Sequence, residues 1–461
     1  MVIKMKILIY NWDLLDGKNG GGVVTYIKNL VSGLINKGHD VWFINSGLTY
    51  TKDKKLRIEE RATSFGAMVH SFEIINSPVI APSRQSGKNI EISLSDETVK
   101  LLFKDFFEKN GPFDVVHFNN LEGIPIKVLE LKDLYRSTQF IYSAHNYYPI
   151  CSRVNLWKDE QKGGTTCKGD DYSACVSCYK KHSNWITKYQ RVHKQHNLVV
   201  NALKVVDFFI HDKESGSVYE KSANMMVSYL NKYIDTVIAV SSRVKEILTN
   251  KGLEPNKIKV LYIGTAVAEV QKRMVAADVA ANVFVVTYMG YMRKMKGIDF
   301  FIEFLGKIPG EIKSKCEIRI IARYDERTDH NRIDRINKLS YDYCSIKLYN
   351  GYTKENQMKL LEGTHLGVVP VLWEDNLPQV AIEQVAYGIP ILTSDLGGAQ
   401  EIGQNSNFVF KANDIDDCIR KFLRIYHNRW LLDDFYRTSM NLISIEQHSD
   451  EILRIYNRQD C

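Results

Sequence analysis

The feature that most constrains the fold is a repeated alternation of short apolar strands with longer amphipathic helices. The first unit is the clearest, with an apolar strand at Lys6–Tyr10, a glycine-containing turn, and apolar helical periodicity from Val23 to Asn36. Gly38 ends this helix, and a second strand follows at Val41–Ile44. Such alternation is typical of α/β folds with parallel sheets.

The alternation runs through two successive arrays, and a polar, alanine-rich stretch separates them. Further strands are predicted at Asp114–Phe118, Phe140–Ala144, Asp235–Val240, Lys259–Tyr262, Val283–Tyr288, Glu317–Ile321, Gly367–Pro370 and Pro390–Thr393. Because a chain of 461 residues exceeds what one core usually supports, we predict two facing Rossmann-like domains with an interdomain cleft. The predicted parts are an N-terminal domain at 1–265, a linker at 266–282, a C-terminal domain at 283–440, and a helix at 441–461 that could return to the N-terminal domain.

Composition and charge exclude several classes of protein. The sequence is 44% hydrophobic and 25% charged, which is ordinary for a globular protein. It lacks an apolar run long enough to cross a bilayer, and its first apolar strand is too short for a signal peptide, so we expect a cytoplasmic protein. The net charge of +7 fits either a solvated basic surface or attraction to anionic ligands and to a membrane face contacted peripherally. Without an aromatic–basic RNA motif, a nucleic-acid partner is not expected.

Gly21 and Gly22 lie between the first strand and the first helix. Glycines there let backbone N–H groups approach a ligand closely, and a helix N-terminus favours an anion. The same pattern also occurs in flexible turns. The dinucleotide motif G-x-G-x-x-G is missing, so a dinucleotide ligand is disfavoured.

A basic cluster, which includes Arg293 and Lys296, follows the first strand of the second array and opens a helix. Cations at a strand-to-helix turn suit a diphosphate, because they add to the helix dipole and the backbone donors. The alternative interpretation is a solvated helix start.

An acidic loop follows another predicted strand, and a second carboxylate lies in the next helix. The two carboxylates are Asp375 and Glu383, which could accept hydrogen bonds from the diols of two sugar rings. Backbone N–H groups at Asn376 and Leu377 could bind phosphate oxygens. Since a carboxylate is costly to bury unpaired, the apolar helix around Glu383 predicts a ligand or a cation beside it. Glu374 is interpreted as a solvated neighbour.

Taken in order, these motifs resemble glycosyltransferase family four, whose members are retaining enzymes with the GT-B fold. The resemblance spans residues 6 to 403 and rests on Gly21-Gly22, Lys37-Gly38-His39-Asp40-Val41, Val240-Ser241-Ser242, Val260-Leu261-Tyr262-Ile263-Gly264, Lys296-Gly297, Asp375 with Glu383, and Asp395-Leu396-Gly397-Gly398-Ala399-Gln400-Glu401.

The resemblance implies roles for individual residues. Lys296 would hold the donor diphosphate, with Arg293 as a further cation, Asp375 would contact the transferred sugar, and Glu383 the nucleotide ribose. His145, at the end of a predicted strand, matches a family histidine near the donor sugar.

The resemblance also places Gly21 and Gly22 at the donor phosphates or the acceptor. The sequence departs from the family pattern in having Asp375 for the usual glutamate, Tyr291 for the usual arginine, and Ala322-Arg323-Tyr324 for a glycine pair.

The implied reaction is transfer of a sugar from a UDP- or GDP-sugar to a glycan, lipid-linked or protein acceptor, in the assembly of a bacterial surface polysaccharide or glycan. No catalytic metal is implied. Two other functions stay open: another GT-B enzyme, such as a sugar-nucleotide epimerase or a phosphorylase, and a non-catalytic sugar-nucleotide-binding scaffold that regulates a partner transferase. The sequence sets no oligomeric state.

Four of the eight cysteines cluster in an insertion at about 146–182, namely Cys151, Cys167, Cys175 and Cys178. The last two have the Cys-x-x-Cys spacing that presents two thiolates to one tetrahedral metal, so we predict a structural zinc site. Disulfides, an iron–sulfur cluster and unligated thiols are the alternatives. A zinc-dependent nucleic-acid module is disfavoured, because it would rest on these cysteines and the modest charge alone. The insertion also resembles one found in a cysteine-bearing subset of the same family.

Overall fold

The structure is a computed structural model that describes residues 4–17, 21–82, 87–158, 164–178, 184–193, 200, 202–203, 216–266 and 281–458. Most of the predicted linker therefore lies outside the described residues. The strands are β1 Lys6–Tyr10, β2 Asp40–Ser46, β3 Arg57–Glu60, β4 Val69–Ile75, β5 Val115–Phe118, β6 Gln139–Ala144, β7 Trp157–Lys158, β8 Thr165–Thr166, β9 Thr236–Ala239, β10 Ile258–Val260, β11 Phe284–Tyr291, β12 Cys316–Arg323, β13 Ser345–Tyr349, β14 Leu366–Val369, β15 Ile391–Ser394 and β16 Val409–Phe410.

The described α-helices surround these strands. They are α1 Gly22–Asn36, α2 Gly87–Ser95, α3 Thr98–Asn110, α4 Tyr172–Cys175, α5 Asn184–His193, α6 Gly216–Tyr233, α7 Ser242–Asn250, α8 Ile298–Lys307, α9 Gly310–Lys313, α10 Glu326–Leu339, α11 Lys354–Leu361, α12 Gln379–Ala386, α13 Ala399–Gly403, α14 Ile415–His427, α15 Trp430–Thr438 and α16 Ile445–Tyr456. None of the helices in the described ranges combines the length and the apolar character that a membrane crossing requires.

The first sheet has eight strands in the order β10-β9-β6-β5-β1-β2-β4-β3. All neighbours are parallel except β3, which runs antiparallel to β4 at the edge. β1 pairs with β2 on one side and with β5 on the other, so the strand order reverses between β1 and β5. Ligands of open α/β sheets bind beyond the carboxyl ends of the strands at such a reversal.

The second sheet has six parallel strands in the order β13-β12-β11-β14-β15-β16. Of these six strands, β11 comes first in the sequence, and the strand order reverses between β11 and β14. The loops after β11 and β14 therefore meet at one point of the sheet edge. They contain the basic cluster and the acidic loop.

Both sheets are buried, as the apolar strand sequences predict. Ile7, Leu8, Ile9 and Tyr10 of β1 are fully buried, which fits a parallel strand covered by helices on both faces. The α/β prediction is confirmed, and every strand predicted from the sequence has a counterpart within a few residues. Strands β3, β4, β13 and β16 and the small β7–β8 pair were not predicted.

The last helix, α16, lies against α1 of the first sheet rather than against the second sheet. His448 Nε2 lies 3.0 Å from the hydroxyl of Tyr26, and the Tyr456 hydroxyl lies 2.7 Å from His117 Nδ1. These buried polar contacts tie the end of the described chain to the core around β5.

Candidate functional site

The basic loop after β11 packs closely on the end of β14. Gly297 has a φ of +81°, and a Cβ there would lie 1.8 Å from the carbonyl oxygen of Pro370, so only glycine fits. A short 3-10 turn, Lys294–Lys296, precedes Gly297 and directs Lys296 towards the acidic loop. The Lys296 ammonium lies 2.5 Å from Asp375 Oδ2 and 5.2 Å from the centre of the Trp373 ring.

Arg293 lies apart from this ion pair. Its side chain is exposed, and its guanidinium lies over the Tyr291 ring at 5.6 Å. Among the described residues it has no carboxylate partner. It is therefore a cation at the rim that a ligand anion could meet.

The backbone of the acidic loop is held by neighbouring glycines and by the first sheet. Asp375 is 7% exposed, and its carbonyl accepts a hydrogen bond from the Gly398 N–H at 2.9 Å. The Asn376 carbonyl accepts from Ser241 Oγ at 2.7 Å, and Asn376 Nδ2 donates to the Ala144 carbonyl at 3.3 Å. Leu377 is buried. The loop thus touches the end of β6 and the start of α7.

Several buried polar atoms around this loop have no hydrogen-bond partner among the described residues. They are Asn376 Oδ1, Trp373 Nε1, Asn119 Nδ2 and the Tyr147 hydroxyl. Unsatisfied buried polar groups are costly, and native proteins rarely leave them without a ligand or water. A polar ligand in the cleft would lower this cost.

Glu383 lies in α12, and its carboxylate is held by two neutral donors. The Tyr352 hydroxyl donates to Oε2 at 2.9 Å, and Gln357 Nε2 donates to the same oxygen at 2.7 Å. Burial raises the pKa of Glu383, while these two hydrogen bonds oppose the rise. Oε1 has no donor among the described residues, so one acceptor oxygen remains available to a ligand hydroxyl.

Glu383 lines a cavity of about 210 Å³ between the two sheets. Its other lining residues include Thr25 and Asn29 of α1, Thr265, and Lys354 of α11. Both α1 and the second sheet's helices thus contribute to one cavity, and its walls carry a carboxylate, an ammonium and several amides or hydroxyls. Such a lining suits a polyhydroxylated ligand.

The glycines after β1 contact the opposite sheet's helix. Gly21 has a φ of +56° and precedes α1. The Gly22 carbonyl accepts from Gln379 Nε2 at 2.9 Å, and a Cβ on Gly22 would lie 3.0 Å from Gln379 Cδ. Gln379 opens α12, the helix that carries Glu383, so these glycines lie near the cavity. Gly20 is outside the described residues.

His145 follows β6 and is half-buried beside Tyr26 and Asn119. Its ring centre is 4.3 Å from that of Tyr26, and its Nε2 is 3.3 Å from Asn119 Oδ1. Burial and the nearby His448 lower the pKa of His145 to about 3. The imidazole is therefore neutral at physiological pH and would act by hydrogen bonding rather than as a cation.

Glu374, interpreted above as a solvated neighbour, is 5% exposed, so that prediction was wrong. The guanidinium of Arg243 holds it through two hydrogen bonds, of 2.6 and 3.0 Å. Arg243 lies 131 positions earlier in the chain, at the start of α7. No local feature of the sequence indicates this pair.

The four clustered cysteines lie near one another. Burial raises the pKa of Cys175 to about 12, and the other three thiols of the cluster add to the increase. Cys167 Sγ accepts a hydrogen bond from the Gly169 N–H at 3.3 Å. Within the described ranges, however, no three or more His, Cys, Asp or Glu side chains are arranged to hold a metal ion. The predicted zinc site is thus not present in this arrangement of side chains.

The insertion also contacts the second sheet. Thr166 of β8 donates to the Leu372 carbonyl at 3.0 Å, immediately before the acidic loop. The cysteine-bearing segment therefore borders the cleft.

Comparison with known proteins assigns this architecture. Residues 242–441 match the family model described as glycosyl transferases group 1. A curated relative, an uncharacterized glycosyltransferase of Methanocaldococcus jannaschii, is 20% identical over 233 residues, which is 49% of this chain and 57% of the relative. An uncharacterized 41.2 kDa protein in the cps region of Klebsiella pneumoniae is 26% identical over 179 residues, which is 38% of this chain and 46% of the relative. The match thus spans about half the length of these two curated relatives.

The structure resembles that of Anabaena HepE in complex with UDP, with a TM-score of 0.57, 13% identity, and coverage of 98% of this chain and 100% of that chain. Identity at this level indicates a shared fold. The predicted GT-B fold is confirmed, whereas membership of a cysteine-bearing subset stays a prediction. The chain therefore has the GT-B fold, and its residues 242–441 are similar to the family described as glycosyl transferases group 1.

Proposed function

We propose that this protein is a retaining glycosyltransferase that transfers a hexose from a UDP- or GDP-sugar. The observation that carries the proposal is the ion pair of Lys296 and Asp375 at the strand-order reversal of the second sheet, beside buried polar atoms that have no hydrogen-bond partner among the described residues. Glu383 lines the adjoining cavity, and its Oε1 has no donor within the described part of the chain. The domain division inferred from the sequence, with an acceptor-side domain at 1–265 and a donor-side domain at 283–440, is part of this proposal.

The proposed roles follow from the chemistry of each group. An ammonium has three N–H donors, so Lys296 can contact Asp375 and still donate to diphosphate oxygens. Asp375 would accept from a hydroxyl of the transferred sugar, and Glu383 Oε1 from a ribose hydroxyl. The N–H groups of Asn376 and Leu377, and the rim guanidinium of Arg293, would add further donors to the phosphates.

Retention requires either two successive displacements or departure and attack on the same face of the sugar. Asp375 is already paired with Lys296, which makes it a poor nucleophile, so we favour the second route. The bond between the sugar's anomeric carbon and the diphosphate oxygen breaks, and its electron pair stays on the diphosphate. The acceptor oxygen bonds to the anomeric carbon, and the acceptor's proton passes to a diphosphate oxygen. Lys296 would stabilise the charge on the leaving group.

A thermal-shift panel tests donor binding directly. We expect one UDP- or GDP-sugar to raise the melting temperature by several degrees, because a ligand at 100 times its Kd adds about 2.7 kcal/mol to the free energy of unfolding. Nucleoside monophosphates of the same base and free hexoses are the controls. A panel in which no nucleotide or nucleotide sugar shifts the transition would contradict the proposal.

Product analysis then separates the transferase from the competing functions. Incubation of the stabilising donor alone would yield an epimerised nucleotide sugar from an epimerase. A disaccharide phosphorylase would instead need a disaccharide and orthophosphate, from which it would yield a sugar phosphate and the released saccharide. A transferase releases nucleoside diphosphate at a rate that depends on a glycan, lipid-linked or protein acceptor. A scaffold would bind the donor and release no product. The predicted role in surface-polysaccharide assembly rests on the family resemblance, and the peripheral membrane contact rests on the net charge of +7.

The structural zinc is a separate proposal. Two observations support it: the four thiols lie near one another, and the Gly169 N–H, which donates to Cys167 Sγ, would stabilise a thiolate there. Binding would require Cys175 and Cys178 to turn away from the carbonyls of Asp171 and Trp157, to which they donate at 3.7 and 3.8 Å.

Metal analysis of chain purified without chelator is the measurement. We expect one zinc per chain, retained in Cys344→Ser, which changes an exposed cysteine outside the cluster, and lost in Cys175→Ser/Cys178→Ser. A metal-free chain in which all eight cysteines react as free thiols would refute this proposal.

A further inference from the structure

The start of α7 forms a polar contact with the acidic loop across the cleft. Arg243 Nη2 lies 2.6 Å from Glu374 Oε1, and Arg243 Nε lies 3.0 Å from Glu374 Oε2. A third guanidinium nitrogen, Nη1, contacts Glu246 at 2.8 Å on the exposed side. The planar guanidinium therefore bridges a buried carboxylate of the second sheet's loop and an exposed carboxylate of its own helix.

The contact with Arg243 offsets the cost of burying the charged carboxylate of Glu374. It is 5% exposed, and its one other hydrogen bond among the described residues comes from the Gly397 N–H at 3.0 Å. A buried carboxylate without a cation carries a large desolvation cost, and a guanidinium that binds both oxygens offsets much of it. If the two sheets moved apart, Glu374 would lose the guanidinium, and its loop would have to rearrange to reach water.

A second carboxylate of the C-terminal half, that of Glu401, also binds the start of α7. Both oxygens of Glu401 accept from backbone N–H groups at the start of α7, from Ser242 at 2.8 Å and from Arg243 at 2.7 Å. The Tyr262 hydroxyl donates to Glu401 at 2.7 Å. A carboxylate at a helix N-terminus is favoured by the helix dipole. The first turn of α7 is thus fixed relative to the second sheet.

The loop held in this way is the one proposed to bind the donor. Glu374 immediately precedes Asp375, which carries the ion pair with Lys296. On the other side of Asp375, the Asn376 carbonyl accepts from Ser241, the N-cap of α7. The start of α7 therefore forms hydrogen bonds with Glu374 and Asn376, the two residues that flank Asp375.

We propose that Arg243 is a positioning residue, which holds the Glu374–Leu377 loop in its donor-binding arrangement when the two sheets face each other as they do here. This inference rests on the proposed transferase function. It makes the order of the donor loop depend on closure of the cleft, so that the site for the sugar is complete in the closed state. Arg243 acts through Glu374 and needs no contact with the donor.

The test changes Arg243 itself and, separately, each of the two carboxylates that its guanidinium contacts. Arg243→Gln removes both hydrogen bonds to Glu374, while Glu374→Gln keeps the volume of the side chain and removes its charge. Glu246→Gln is the matched control, since it removes only the exposed partner. We expect the first two variants to lower kcat/KM for the donor by about 10- to 100-fold, mainly through a higher donor KM, because small misplacements of a binding group have effects of this size. The control should retain the wild-type values.

Binding of UDP, measured by calorimetry on the full chain at a temperature where each variant is folded, supplies the second readout. A merely structural role would lower the melting temperature and leave donor KM and UDP affinity unchanged, and that result would overturn the inference. If Arg243→Gln does not fold, Glu374→Gln alone decides by the same criterion. Wild-type chain that neither binds UDP or GDP nor turns over any nucleotide sugar would instead contradict the proposed function itself.

Discussion

Replacement of Lys296 by alanine is expected to lower the donor turnover number by about 100- to 1,000-fold, because loss of one preorganised group that stabilises charge in a transition state costs about 3 to 4 kcal/mol. The ammonium lies at the strand-order reversal and contacts Asp375. Without it, the leaving diphosphate would lose the cation proposed to stabilise it, and Asp375, which is 7% exposed, would keep an uncompensated charge. Both effects disfavour departure of the diphosphate.

Two companion variants make the Lys296 result specific. Lys296→Arg retains a cation and should recover part of the turnover. Lys307→Ala changes an exposed lysine at the end of α8 and should behave as wild type. Turnover by product release and donor affinity by calorimetry should be measured on the same preparations. Undiminished turnover in Lys296→Ala with intact nucleotide binding would refute the catalytic role.

Acid is expected to destabilise the fold steeply between pH 6.5 and pH 5. Two buried histidines, His117 and His448, lie near the half-buried His145, and desolvation lowers the pKa of His117 to about 3, that of His145 to about 3, and that of His448 to about 4. Repulsion between two protonated imidazoles would reinforce the effect, since His145 and His448 lower the pKa of His117 and His448 lowers that of His145. All three are therefore neutral in the folded state.

The sign follows from proton uptake. Below an unfolded pKa of about 6.5, the unfolded chain binds protons that the folded chain does not, so the free energy of unfolding falls as the pH falls. At pH 5.5 each histidine contributes a loss of about 1.4 kcal/mol, and the three together a loss of about 4 kcal/mol. The loss stops growing only below the folded pKa values. Above about pH 7 these groups should cause no pH dependence.

Denaturant unfolding at several pH values measures this slope. His448 is the best residue to change, because its imidazole bonds the Tyr262 carbonyl and the Tyr26 hydroxyl and has no proposed role at the donor. His448→Gln should reduce the slope between pH 7.5 and 5.5 by about a third, whereas His330→Asn, which alters an exposed histidine, should leave it unchanged. A wild-type free energy of unfolding that stays constant over this range would show the prediction to be wrong.

Much of the fold could be predicted from local pattern. β1 and α1 were located to within one residue, because a fully buried parallel strand is continuously apolar and a surface helix repeats its apolar residues every 3.6 positions. β4 was not predicted, because polar residues interrupt its apolar pattern: Val69–Ile75 includes His70, Ser71 and Glu73. Glu73 is 2% exposed and is tolerated there because Arg61 donates to it at 2.8 Å, a contact that the strand's own sequence does not contain.

The candidate site divides in the same way. Lys296 and Asp375 could be singled out as candidates because each lies in a loop after an apolar strand, where parallel sheets present side chains to ligands. Glu383 could be singled out because it is a carboxylate in an apolar helix. The hydrogen-bond partners of Glu383 could not be predicted from the sequence. The helix predicted a ligand or a cation, and the structure supplies Tyr352 and Gln357, two neutral donors from a loop and helix that follow another strand.

The sequence by itself determined the class of fold, the two arrays of strands and the positions of the main charged residues, because these depend on periodicity and on short-range spacing. Only the tertiary structure decided which of those residues meet. Glu374 looks solvated in its local sequence, yet it is buried against Arg243, 131 positions away, because the two sheets face each other with the acidic loop against the first turn of α7. Contacts of this kind depend on how two sheets face each other, and no window of sequence contains that information.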